Sequence, residues 1–80
     1  MNNQLSLLDT VIATADIPDD QVLRGDLGTI VEIFENPNLA YEVEFINPDG
    51  TTRALLTLSP NEIRELSPAD VITTRQAVAV

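Results

Sequence analysis

Apolar and polar positions along this chain alternate with a period of two over much of its length, the spacing of a strand rather than a helix. The cleanest stretch is AYEVEFI, residues 40–46, where Tyr41, Val43 and Phe45 interleave with Glu42 and Glu44. Successive side chains of a strand point to opposite faces, so this stretch predicts one buried and one solvent-facing side. Residues 27–34 (LGTIVEIF) and 51–58 (TTRALLTL) read as its neighbours, and residues 7–14 as a first strand that is partly apolar on both faces. Asn47-Pro48-Asp49-Gly50 has the proline and glycine placement of a type I turn. A turn confined to those four residues sets Ile46 opposite Thr51, Phe45 opposite Thr52, Val43 opposite Ala54 and Tyr41 opposite Leu56. It also sets Glu44 against Arg53 on the exposed face. Keeping Val31 and Ile33 on the face of Val43 and Tyr41 brings Glu32 opposite Glu42 or Glu44. That like-charge pair is mildly unfavourable, met either by splayed, solvated side chains or by a cation from outside.

The remaining segments read as connections. Residues 15–26 (ADIPDDQVLRGD) are a turn-rich loop from which Ile17, Val22 and Leu23 are expected to tuck over the core, and residues 35–39 are a turn. The pattern Ser-Pro-x-acid occurs at Ser59-Pro60-Asn61-Glu62 and again at Ser67-Pro68-Ala69-Asp70. Serine before proline, with an acid two residues later, is the signature of a capped helical start. The first copy predicts one helical turn before a short last strand at 63–66; the second predicts a helix start or a frayed tail. The chain thus divides into a flexible stretch at 1–6, a domain at 7–66 and an extension at 67–80.

Composition narrows the possibilities. Eighty residues make one domain, and the 44% apolar content suits a folded one. With no cysteine, neither disulfides nor thiolate-held metals can staple it. Thirteen acids face four arginines (Arg24, Arg53, Arg64, Arg75), with no lysine or histidine, for a net charge of −9. Phosphate backbones and anionic lipid surfaces repel such a chain, and a basic protein is its natural electrostatic counterpart. Plain solubility is the alternative reading of the same charge. Met1 to Leu8 carries no basic region followed by an apolar run, and no apolar stretch is long enough to span a bilayer, so a cytoplasmic protein is expected.

Five short strands, a turn-rich loop after the first and one helical turn before the last describe an all-β fold, a small SH3-like barrel of antiparallel strands. Residues Arg24-Gly25-Asp26-Leu27-Gly28-Thr29-Ile30-Val31-Glu32-Ile33 resemble the Gly-Asp-x-Gly-x-Val core of KOW-type SH3-like modules, with Gly28 expected to let the chain turn sharply into its strand. Together with Leu7-Leu8-Asp9-Thr10-Val11, Ala40-Tyr41-Glu42-Val43-Glu44-Phe45 and Ala54-Leu55-Leu56-Thr57-Leu58, this order of blocks resembles the bacterial family catalogued as domain of unknown function 4926. The resemblance spans residues 7 to about 66 and implies a small cytoplasmic bacterial or phage-borne protein, with no activity or site residue to carry over.

Candidate chemistry is sparse. Without Cys, His or Lys, the Ser-His, Cys-His and Ser-Lys nucleophile pairs are excluded. Glu32, Glu42 and Glu44 are carboxylates on an open face, where solvation keeps them ordinary, so no enzyme activity and no cofactor are expected. Asp16, Asp19, Asp20 and Asp26 share one loop but lack the spacing and central glycine of a calcium loop, and read as turn formers. What remains is binding. Glu32, Glu42 and Glu44, with Phe34 and Leu55 and with Asp19 and Asp20 of the loop, form the expected partner surface. Ile30 is expected beside Phe34 and Leu55 on the outward side. The expected partner is a basic protein; a homo-oligomer or an accessory role on an enzyme subunit is the alternative, and a KOW-like RNA role a third reading that the charge opposes.

Overall fold

The structure, a computed structural model, describes residues 5–70. It is all-β: β1 (Thr10–Ala13), β2 (Leu27–Phe34), β3 (Ala40–Ile46), β4 (Thr52–Leu58) and β5 (Ile63–Glu65), with 3-10 turns at Pro18–Asp20 and Pro60–Glu62. All pairings are antiparallel, and the strands lie in one sheet in the order β4-β3-β2-β1-β5. This is the expected five-stranded, SH3-like arrangement, with a helical turn before the last strand. Among the described residues no helix is long and apolar enough to cross a membrane, which leaves β-barrel insertion unaddressed.

Among the described residues no helix covers this sheet, yet Val11, Val22, Ile30, Val43 and Phe45 are fully buried, and Ala13, Tyr41, Leu58 and Ile63 nearly so. A flat, single sheet cannot dehydrate one face to that degree, so the sheet coils over its own apolar side. Burying each large side chain contributes about 1.5–3 kcal/mol. Loop residue Val22 closes one end of the core, held by mutual backbone bonds with Ile17 (2.7 and 3.2 Å). Those bonds leave Leu23, expected to tuck in, 57% exposed instead.

The coiling runs through single-residue insertions. β2 pairs Ile30 with Val43 and then Glu32 with Glu42, so Val31 is an extra residue. Without it Glu32 and Phe34 would share the inner face with Gly28 and Ile30; with it they turn outward and Ile33 turns in against Tyr41. Ile30 is therefore core rather than an outward residue, and Val31 is only half-buried, the reverse of the expectation. The β3–β4 hairpin differs likewise. Gly50 N–H donates to Asn47 O (2.9 Å), Asn47 N–H donates to Thr51 O (2.8 Å), and Gly50 has φ +92°. This is a three-residue loop, a type I turn followed by a left-handed glycine. Thr51 donates its hydroxyl and its N–H to the Asp49 carboxylate (2.7 and 2.9 Å), holding that carboxyl below its ordinary pKa, the hydroxyl bond contributing most. One extra residue in the loop would invert every side chain of β4. A second, Arg53, lies between the pairs Ile46–Thr52 and Phe45–Ala54 and restores the faces. Val43 consequently faces Leu56, Tyr41 faces Leu58 and Phe45 faces Ala54, two residues out of the expected register but on the expected sides.

β1 is shorter than expected. Residues 6–9 form a turn in which Asp9 accepts the Ser6 N–H (2.8 Å) and Leu8 takes φ +69°, so the strand begins only at Thr10. Of residues 1–6, the structure describes Leu5, which packs against the core, and Ser6, which opens that turn. Both Ser-Pro-x-acid copies close alike. Glu62 accepts the Ser59 N–H (2.8 Å) and Asp70 the Ser67 N–H (2.6 Å), one turn on each side of β5. Any helix beyond Asp70 lies outside the described residues.

Gly28 is required by space rather than by a sharp turn. A Cβ there would sit 2.5 Å from Val43 Cγ1 and 2.9 Å from Phe45 Cε1. Gly28→Ala is expected to cost about 1–3 kcal/mol, against the modest gain that removing a glycine gives where there is room. The midpoint of urea unfolding checks this; an unchanged or raised midpoint would show that the packing over Gly28 is loose.

Candidate functional site

The outer face of β2, β3 and β4 carries most of the residues expected to bind a partner. Glu32 lies opposite Glu42, and Glu42 opposite Thr57; Thr29, Glu44 and Leu55 form the next row. Phe34, opposite Ala40, ends the face on one side and is 41% exposed, while Leu55 is 55% exposed. Glu42 accepts the Thr57 hydroxyl and Glu44 the Thr52 hydroxyl, both at 2.6 Å, which fixes two carboxylates without neutralising them. Glu32 is exposed beside Glu42. The like-charge pair expected from the sequence is thus present.

The expected Glu44–Arg53 pair is not. Arg53 occupies the bulge, so Leu55 stands opposite Glu44. The guanidinium turns to the loop instead: Nη1 donates to Asp26 Oδ2 (2.9 Å) and Nε to Asn47 Oδ1 (3.0 Å). Asp26 also accepts the Leu23 N–H (2.9 Å), and Asp16 accepts the Arg24 N–H (2.8 Å). Two of the four loop aspartates therefore brace the backbone. Among the described residues no group of three or more acids comes together in a way that could hold a metal ion.

Asp19 and Asp20 remain exposed, on the 3-10 turn, and do not join the glutamate row. They line a shallow groove beside β4, together with Gln21, Arg53, Ala54, Leu55 and Leu56. Leu55 is where the two sets meet, opposite Glu44 on β3 and in the groove with Asp19 and Asp20.

The sequence reasoning missed an apolar end to this outer face. Ile46 is 51% and Leu27 39% exposed, and Leu27 lies opposite half-buried Ile12. The signal was present for Ile46, which shares its parity with Glu42 and Glu44. For Leu27 it was hidden, because the Val31 insertion reassigns the faces of β2.

A second concavity lies at the opposite edge of the sheet, between Leu5, Tyr41, Pro60 and Ile63, with Arg64 and Glu65 at its rim. Arg64 is engaged by Asp70 through two bonds (2.8 and 3.0 Å), and Asp70 accepts from Ser67 as well. The Arg64 bond is the main cause, and the Ser67 N–H the next, of an Asp70 carboxyl held far below its ordinary range; Arg64 is raised in turn. The ion pairs among the described residues are this one and Arg53–Asp26. Glu32, Glu42 and Glu44 are in neither.

A family model described as Domain of unknown function (DUF4926) matches residues 7–65. No curated protein and no solved structure matches the chain.

Asp70 is the chain's clearest pH-dependent group. A depressed native pKa stabilises the folded turn above the ordinary aspartate value of 3.8, and that contribution fades as pH falls through the native value. Nuclear magnetic resonance of the Asp70 carboxyl carbon is expected to show titration well below 3.8, moving back up in Arg64→Gln. An unchanged titration in that variant would show that Arg64 does not hold the carboxylate.

Proposed function

Because the chain belongs to the DUF4926 family, whose description assigns no activity, we propose a function from its own surface: a non-enzymatic protein-binding module that neutralises a basic partner, as an acidic inhibitor of the antitoxin or immunity type. The observation that carries this reading is the row Glu32, Glu42 and Glu44. It lies on one sheet face, outside the ion pairs of the described residues and bracketed by exposed Phe34 and Leu55. Acidic groups around exposed apolar side chains match the rim and centre of an interface. The net charge of −9 adds long-range attraction to a basic surface and speeds encounter. The reading places the protein in the bacterial cytoplasm, where a cysteine-free chain needs no oxidising compartment.

A second reading rests on a separate observation. Leu27, Ile46 and Leu55 expose apolar surface on the same outer face, which favours assembly with a second copy or packing on an enzyme subunit. The two readings part on salt. Charge-led binding weakens as ionic strength rises, whereas apolar contact does not.

The test is capture of partners on the tagged full-length chain from native cell extract, in parallel with the double variant Glu42→Lys and Glu44→Lys. A basic protein held in stoichiometric amount, released by salt and lost with the double variant, is the expected result. Circular dichroism should show the variant folded, with stability within about 1 kcal/mol of the parent. Binding indifferent to the charge reversal would remove the glutamate row from the reading. Salt-resistant capture of the chain by itself would favour assembly.

A further inference from the structure

The two edges of the sheet are unequal. β5 is three residues long and ends in the Ser67–Asp70 turn clamped by Arg64. β4 has seven residues and, among those described, pairs on one side only, with β3. A free strand edge presents a row of N–H and C=O groups to any extended chain. Proteins usually blunt such edges with charge, proline, a bulge or brevity. β4 spends its bulge and its one charge, both Arg53, at its start. The remainder, residues 54–58 (Ala-Leu-Leu-Thr-Leu), has neither charge nor proline.

The surroundings of this edge are acidic on two sides. The groove that opens beside Ala54, Leu55 and Leu56 is walled by exposed Asp19 and Asp20 and by Arg53, whose guanidinium is already engaged by Asp26 and Asn47. On the outer face, one strand inward, stand Glu42 and Glu44, tied to β4 by the hydroxyls of Thr57 and Thr52. Resting on the proposal of a basic partner, we infer that residues 54–58 of β4 accept an extended cationic segment of that partner as a sixth strand of the sheet. Main-chain bonds supply affinity in this mode, and alternate side chains supply selectivity. The added strand would lie about 4.8 Å from β4. Every second side chain would then share the face of Leu55, Glu42 and Glu44, and its Lys and Arg residues meet carboxylates there and at Asp19 and Asp20. Charge decides the occupant: a second copy would bring its own −9 to the same carboxylates.

The test adds a blocked peptide of alternating Lys and Val, roughly ten residues long to match a strand, to the isotope-labelled full-length chain at low salt. Amide hydrogen exchange is followed residue by residue, in parallel with the same peptide methylated at every backbone nitrogen. Exchange at residues 54–58 is expected to slow with the unmodified peptide. The methylated peptide keeps the charge but loses the backbone donors, and is expected to bind at least about tenfold more weakly. Equal affinity for both peptides, without slowing at 54–58, would overturn strand addition and leave the basic-partner reading standing. Binding of neither peptide would overturn both. The amides of 54–58 that do not bond to β3 report on the free edge, and finding those already protected without peptide would also overturn the inference. Concentration-independent protection would assign the edge to residues 71–80 of the same chain, and protection that rises with protein concentration would assign it to a second copy.

Discussion

The whole domain depends on one constraint: a single sheet on which, among the described residues, no second layer is stacked must cover its own apolar face. A second layer would make the packing of that face a matter between elements. Here it is a matter of how far the strands bend, and bending is set where a residue is inserted or a side chain is missing. Gly28 is the missing side chain, with Phe45 and Val43 filling the volume its Cβ would need. Val31 and Arg53 are insertions, one on each neighbour of β3. The strand between them, β3, keeps strict alternation and carries Tyr41, Val43 and Phe45, a third of the buried core. The regular strand is the axis of the fold, and its irregular neighbours wrap about it.

That division explains what could be read from the residues. β3 was legible because period two on a half-buried strand leaves no alternative, and its faces followed at once. Residues 54–58 of β4 were assigned to the correct faces through the wrong register, while Thr52, expected inward opposite Phe45, lies outward opposite Ile46. The turn holds one residue more than a four-residue reading allows and the Arg53 bulge adds another, and two single-residue shifts cancel in parity. The same shift removed Glu44 from Arg53, since ion pairing depends on register and not only on face. β2 was half legible. Ile30 and Val31 are adjacent β-branched residues of nearly equal apolarity, so nothing local says which is inserted. The deciding fact is non-local, namely that Glu32 and Ile33 must fit against Glu42 and Tyr41. The acidic row survived because β3 alone supplies two of its three members; Asp19 and Asp20 were joined to it by charge, although the fold sets them at the β4 groove.

The arginines sharpen the electrostatic picture. Two of the three in the described span are committed to holding chain segments in place: Arg53 ties the β3–β4 hairpin to the long loop through Asp26, and Arg64 ties β5 to the turn after it. Surface pairs of this kind contribute little to stability. Their larger effect is on what remains. Once these cations are spent on loop geometry, the outer-face glutamates Glu42 and Glu44 are met by threonine hydroxyls, and among the described residues Glu32, Glu42 and Glu44 join no ion pair. The charge of the surface is thus a product of the fold as well as of the composition.

The repeated Ser-Pro-x-acid pattern acquires a meaning from the same accounting. Both copies fold into turns in which the acid reaches back to the serine N–H, and they stand immediately before and after β5. The two copies are a pair of stops, and between two stops a strand has room for three residues. The first stop also ends β4, but β4 begins at a hairpin turn, and along residues 54–58 its free edge, with Leu55 exposed, runs beside Asp19, Asp20 and Arg53. A sheet that must coil on itself needs only modest strands at its ends. A seven-residue edge strand, free of charge over most of its length in so acidic a chain, exceeds what closing the core requires. The two ends of the sheet thus differ, one closed by turns on both sides of a three-residue strand and one carrying a long strand that, among the described residues, pairs on one side only.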